Sequence, residues 1–236
     1  MIELQRFSGF LVVLFLAGCG AAIGQAGPVV SGAKDCSTIQ DCRDRAALVM
    51  AANEGDLKSW GAARLFMERG CEFGDLESCV GLGSCLRDGR GGPVDGPRAM
   101  LLFEKACRGK NGLGCAQLAD FYRVGESVQR DLALAAILFR TACEHREPTG
   151  CQSLGNMYFL GQGVPVNYSR SAELWGWLCE KGAMESCGAL AFLMERGLGV
   201  RKDLKRAVEL YGHACRGGDP VSCGQLKRLG KSGTEH

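Results

Sequence analysis

Fourteen cysteines are the densest chemistry in this sequence of 236 residues, and their spacing narrows what that chemistry is. Cys71, Cys107, Cys143, Cys179 and Cys215 fall 36 residues apart, and each is followed eight positions later by a second, at Cys79, Cys115, Cys151, Cys187 and Cys223. Zinc would call for Cys-x-x-Cys or Cys/His clusters. No Cys-x-x-Cys occurs and the histidines number three, so neither metal nor cofactor is expected. Disulfides need only bring two Cα atoms to within about 7 Å. Eight residues running from a helix end through a turn into the next helix can do that, so each pair is read as a local staple, with Cys36 and Cys42 as a shortened sixth. Cysteine in this density belongs to an oxidising compartment, which implies export.

Other residues could carry chemistry but lack a frame. Ser31-Gly32-Ala33-Lys34 has the letters of the Ser-x-x-Lys nucleophile element of serine β-lactamases, and Lys231-Ser232-Gly233 partly matches a second. The first lies between Gly27-Pro28 and the first helical pattern, the second in a polar tail, so no catalytic residue is assigned. His145 and His213 fall near helix ends, where an imidazole can meet terminal carbonyls. Gly89-Arg90-Gly91-Gly92 sits at a turn of the repeat, and turn geometry explains it better than phosphate binding. Cys85 is left over once the pairs are drawn; it stands where other copies have Phe121, Met157 and Leu193, which predicts a small apolar core residue.

The elements that position the cysteines follow from periodicity. Cys115, Leu118, Ala119 and Tyr122 recur at helical spacing, giving a helix A of about three turns. Gly125 can end it in the left-handed conformation. Asp131 can cap the next helix, and Ala135, Leu138, Phe139 and Ala142 give a helix B of about four turns. The same positions carry Gly89, Gly161 and Gly197, then Asp95, Asn167 and Asp203, then Phe103, Trp175 and Tyr211. One such pair cannot bury its own apolar face, so it must stack on the next. Arg45 to Asn53 and Trp60 to Arg69 read as a degenerate first copy, and Cys223 to Leu229 as the first helix of an unfinished last one. The expectation is an all-α solenoid of about five copies over residues 36–230, with capped ends and a polar tail at 231–236.

Upstream, Phe10 to Leu16 is an apolar run preceded by Arg6 and too short to span a bilayer. It matches the apolar core of an export signal. Leu16-Ala17-Gly18-Cys19 resembles the lipobox of bacterial lipoproteins, which implies a signal peptide at 1–18, a lipid on Cys19 and a linker at 19–35. Gly20, rather than Asp, after the cysteine resembles outer-membrane rather than inner-membrane lipoproteins.

The repeat itself resembles the Sel-one-like repeat, a relative of the tetratricopeptide repeat. The resemblance is clearest at Cys151-Gln152-Ser153-Leu154-Gly155-Asn156-Met157-Tyr158 with Gly161-Gln162-Gly163-Val164, and the paired cysteines narrow it to the cysteine-rich secreted branch first described in Helicobacter. It implies a right-handed superhelix with a concave groove, and a role as a scaffold or adaptor for a protein, peptide or cell-wall (peptidoglycan-related) ligand in the cell envelope. The alternative it carries is a weak penicillin-binding or β-lactamase activity. A net charge of +2 gives no basic face for nucleic acid. The membrane is reached through the lipid alone, and a monomer is expected.

In helical repeats the first helix lines the concave face. Positions two, five and nine after the second cysteine of each pair point away from the packing and vary between copies. Gln117, Asp120, Ser153, Asn156 and Phe192 are therefore expected to line a groove, with amide and carboxylate groups for a peptide backbone and Phe192 as an apolar anchor.

Overall fold

A computed structural model describes residues 36–52 and 57–232 of the chain. The signal peptide, Cys19, the linker, Ser31 and Lys34 lie outside these residues, as does the end of the polar tail. Eleven α-helices and no strand occur among the described residues. The degenerate first copy is α1 (Ile39–Ala52) and α2 (Leu57–Glu72). The regular copies are α3 (Leu76–Asp88) with α4 (Gly96–Arg108), α5 (Gly112–Val124) with α6 (Leu132–Glu144), α7 (Pro148–Leu160) with α8 (Tyr168–Glu180), and α9 (Met184–Arg196) with α10 (Leu204–Arg216). A final helix, α11 (Pro220–Ser232), closes the array.

Helix B begins as the sequence predicts. Asp95, Asp131, Asn167 and Asp203 each accept from the backbone N–H three residues on, and helix A ends on Gly89, Gly125, Gly161 and Gly197 in the left-handed conformation. Helix A departs from the expected three turns. It starts three residues before its cysteine and, at 13 residues, equals helix B. The reason is a second set of caps four residues before the cysteine: Asp75, Asn111 and Glu147 each bond a backbone N–H of the first turn. Between helix B and this cap the chain turns through one left-handed residue, Gly74, Lys110, Arg146, Gly182 or Gly218, with φ between 63° and 96°. That turn folds the chain back on itself. It brings the cysteine Cα atoms to 4.4–4.7 Å in the five long staples, and the Cys36–Cys42 pair stands at 5.1 Å. Closing so short a loop stabilises by about 2.5 kcal/mol in the chain-entropy picture.

Within each copy, close approach of the two helices depends on small residues. Ala99, Ala119, Ala135, Ala191 and Ala207 are fully buried, and so are the large rings of Phe103, Phe139 and Tyr211 that fill the space between copies. A methyl group on Gly155 would come 2.7 Å from Trp175 Nε1. The apolar core runs along the array as a chain of clusters joined at the staples rather than one central mass. Cys85 is unpaired and buried in it, and burial pushes its thiol above the ordinary value against the opposing pull of Arg64 and Arg90.

A second lock joins copies where helix A turns into helix B. Gly91, Gly163 and Gly199 hold one repeat position with positive φ, and a Cβ there would overlap the backbone at Trp60, Leu132 and Tyr168, near the start of the preceding helix B. In the remaining copy this position is Ser127, also at positive φ, and the residue it faces is Gly96. The side chain has moved from one partner to the other, and the contact is kept. Gly96→Leu is therefore expected to overpack the junction and cost about 1–3 kcal/mol. Adding Ser127→Gly should restore most of that loss in urea unfolding.

The copy that starts α9 lacks its cap. Ala183 stands where Asp75 and Asp219 accept from Ser78 and Ser222, so the buried Ser186 hydroxyl has no partner. Ala183→Asp is expected to raise stability by about 1 kcal/mol, seen as a higher denaturation midpoint.

Candidate binding face

A helices touch one another, α3 with α5, α5 with α7 and α9 with α11, and the Phe159–Phe192 ring contact joins α7 to α9, so that they form one layer. Polar contacts tie this layer together across the copies. Arg43 of α1 pairs with Asp75 and, at 3.0 Å, with Glu77 of α3. Arg87 of α3 donates to Gln117 of α5, Gln152 of α7 donates to Glu185 of α9 at 3.4 Å, and Arg228 of α11 pairs with Glu195 of α9 at 2.5 Å.

Two of these ties hold buried carboxylates. Asp75 is held down to about 2, first by the hydrogen bond from Arg43, which outweighs the upward push of burial; the Ser78 hydroxyl and N–H add to it. Burial pushes Glu195 upward too, but Arg228 and the Tyr211 hydroxyl, which donates to it at 3.1 Å, hold the carboxyl below its ordinary value. A buried carboxylate left without its cation is costly, so these pairs fix the spacing of the A helices at the two ends of the layer.

The five residues expected to form a groove all fall on this layer, but in different states. Gln117 is half-buried and engaged by Arg87; Asp120 is half-buried and paired with Arg123 at 2.7 Å. Ser153 is half-buried and Asn156 exposed, and neither has a hydrogen-bond partner among the described residues. Phe192 is not a free anchor. Its ring packs edge-on against Phe159 at 6.1 Å, with Arg196 over it at 5.7 Å, so it forms part of the wall. The exposed apolar surface comes instead from Val124 and Leu160, the last residues of α5 and α7, which are 58% and 57% exposed. Sequence reading placed both at outward positions without selecting them, because an exposed aliphatic side chain carries no polar signal.

Clefts of about 450 Å³ and 480 Å³ open where α6, α7 and α8 meet and where α2, α3 and α4 meet, and one of about 310 Å³ is lined by Gln152 and Glu185 of the layer. A row of polar and apolar side chains running across successive helices suits an extended segment better than a small molecule, which favours an enclosed pocket. Among the described residues no cluster of His, Cys, Asp and Glu could hold a metal ion, and no helix is long and apolar enough to cross a membrane. His145 caps α6 through its backbone N–H, which donates to Thr141 and Cys143.

A solenoid of helix pairs stapled at each junction and offering a continuous A-helix layer is a helical-repeat protein of the tetratricopeptide type. The Sel1 repeat matches at residues 76–111, 112–146, 148–182 and 185–219, and the chain belongs to that family. No match was found among curated proteins. Among solved structures, a protective antigen of uropathogenic Escherichia coli with an SLR fold is 27% identical, with a TM-score of 0.74, over 81% of this chain and 41% of that one. The chain thus spans less than half the length of that antigen. A Sel1 repeat protein of Oxalobacter formigenes is 19% identical, with a TM-score of 0.73, over 81% of this chain and 78% of that one. The cysteine-rich protein B of Helicobacter pylori is 25% identical over 74% of this chain and all of its own, with a TM-score of 0.40.

The Asp75 tie has a pH signature. Its carboxyl lies below the ordinary 3.8, so its contribution is whole above that value and is lost as pH falls through about 2. Asp75→Asn should lower stability by roughly 1–2 kcal/mol at neutral pH and by far less at about pH 2, read from urea midpoints at each.

Proposed function

We propose that this protein is an exported scaffold, tethered to the envelope through a lipid on Cys19, whose A-helix layer binds an extended peptide segment of an envelope protein. The observation that carries the reading is the pair Ser153 and Asn156, polar side chains with no intramolecular partner, set between the Gln117–Asp120 copy and the Phe159–Phe192 wall. A side-chain amide can both donate to and accept from an extended backbone, and Val124 and Leu160, at one repeat position on successive helices, offer exposed apolar contacts beside it. Repeat copies that keep their packing residues and vary these positions are built to present a surface. The six disulfides fit an oxidising, extracytoplasmic compartment. Nothing on the described residues favours the hydrolase alternative.

The test is selection of peptides from a displayed library on the oxidised protein, followed by affinity measurement on an Asp120→Ala/Asn156→Ala variant. A loss of about tenfold or more, roughly 1.4 kcal/mol, is expected for peptides bound on this layer. Peptides that bind the variant as tightly as the parent would overturn the assignment.

A further inference from the structure

The B helices carry a feature that the A-helix layer does not use. Leu65, Leu101 and Ile137 occupy one repeat position on α2, α4 and α6, and they are 47%, 61% and 53% exposed. One turn before them, on the same outward side, stand Gly61, Pro97 and Ala133. These residues form an apolar row across three helices, crossed between α2 and α4 by the Arg98–Glu68 pair and by the cleft that Leu65 lines. The band ends at the next copy, where the large aliphatic is replaced by Glu173 on α8 and then by Glu209 on α10. Single exposed aliphatics are ordinary on a protein surface; three in register, with charge substituted at the following two copies, mark an interaction site.

We propose that this band is the contact face of a homodimer, in which the B helices α2, α4 and α6 of two copies of the chain meet across a two-fold axis running along α4. The band is complementary to itself. Its ends, Leu65 and Ile137, are alike in size, and its centre is Leu101. The axis therefore sets Leu101 on Leu101 and each Leu65 on Ile137 of the second copy, as an isologous interface requires.

The flanking charges agree with that arrangement. One turn beyond the band the same repeat position is Glu68 on α2, Glu104 on α4 and Arg140 on α6. Arg140 has no ion pair or hydrogen bond among the described residues, and the axis brings it to Glu68 of the second copy, on both sides of the interface. Glu68 is already held by Arg98 of α4, so Arg140 would complete a network at each end. Glu104, which faces its own copy at the axis, is neutralised within its chain by Arg108. Shifting the two copies by one repeat towards α8 would set Glu173 against Leu65, which disfavours that register. Three helix faces make a small interface, so the dimer is a weak one. The sequence-based expectation is a monomer, and the repeat pattern does not mark which face of helix B the stack leaves uncovered.

The test is sedimentation velocity of the protein as isolated from its cell, from low to high micromolar concentration. The parent should shift from monomer to dimer. Leu101→Arg should remain monomeric throughout, and Arg140→Glu should weaken association at least tenfold. The Glu68→Arg/Arg140→Glu variant should recover it, because the charge pair across the axis is restored with opposite polarity. Circular dichroism of the variants separates loss of association from loss of folding. A parent that stays monomeric over the whole range overturns the proposal, as does a dimer that Leu101→Arg leaves intact. A monomer that binds phosphatidylglycerol vesicles through Leu101 would also overturn it, and would assign the band to a lipid surface instead.

Discussion

The structure depends on one constraint: a pair of short helices cannot bury its own apolar face. Each pair completes its core only against the next, so the fold depends on the junctions as well as on the contacts within each repeat. Both connections are locked at every regular junction. The B-to-A connection is closed by a disulfide over a left-handed turn, with a side-chain helix cap everywhere but at α9. The A-to-B connection is closed by a glycine, or by Ser127 against Gly96, seated on the preceding copy. With both connections fixed, two successive pairs have little freedom to rotate against each other, and the A helices stay in a single layer.

That stiffness bears on function. A face assembled from six separate helices can recognise a partner only if the helices hold their spacing when nothing is bound. The ties from Arg43 to Asp75 and from Arg228 to Glu195 extend the same rigidity into the layer itself, using carboxylates whose burial makes loss of the partner cation expensive. Between these ends the layer changes character. Around α3 and α5 it is charged and self-paired, at Ser153 and Asn156 of α7 it is polar with side chains unpaired, and towards α9 it is walled by Phe159 and Phe192. A ligand that follows the layer would meet those three chemistries in order.

Much of the fold is legible in the sequence, because the 36-residue register repeats without a slip and helical periodicity assigns each segment. The helix B caps and the glycines that end helix A follow from residue type alone. The caps of helix A do not, because Asp75, Asn111, Glu147, Ala183 and Asp219 are four residue types at one position and one of them cannot cap at all. The left-handed turn inside each staple is hidden in the same way, since Lys110 and Arg146 stand where three other copies have glycine. The candidate face was legible as a set of positions but not as a set of states. Which of its side chains are free depends on long side chains reaching across copies, as Arg87 does to Gln117, and no spacing rule encodes that reach. The outward band of helix B was hidden because exposure is a property of the stack and not of one copy.

The central claim is that partners meet the A-helix layer at its unpaired polar centre. The most direct measurement places a photo-crosslinking residue at Asn156, or at the exposed outer position Glu209 as control, in the full chain in intact cells. The account predicts discrete adducts from Asn156, lost on substitution of Ser153 and Leu160, and none from Glu209. Adducts confined to Glu209, with none from Asn156, would contradict it.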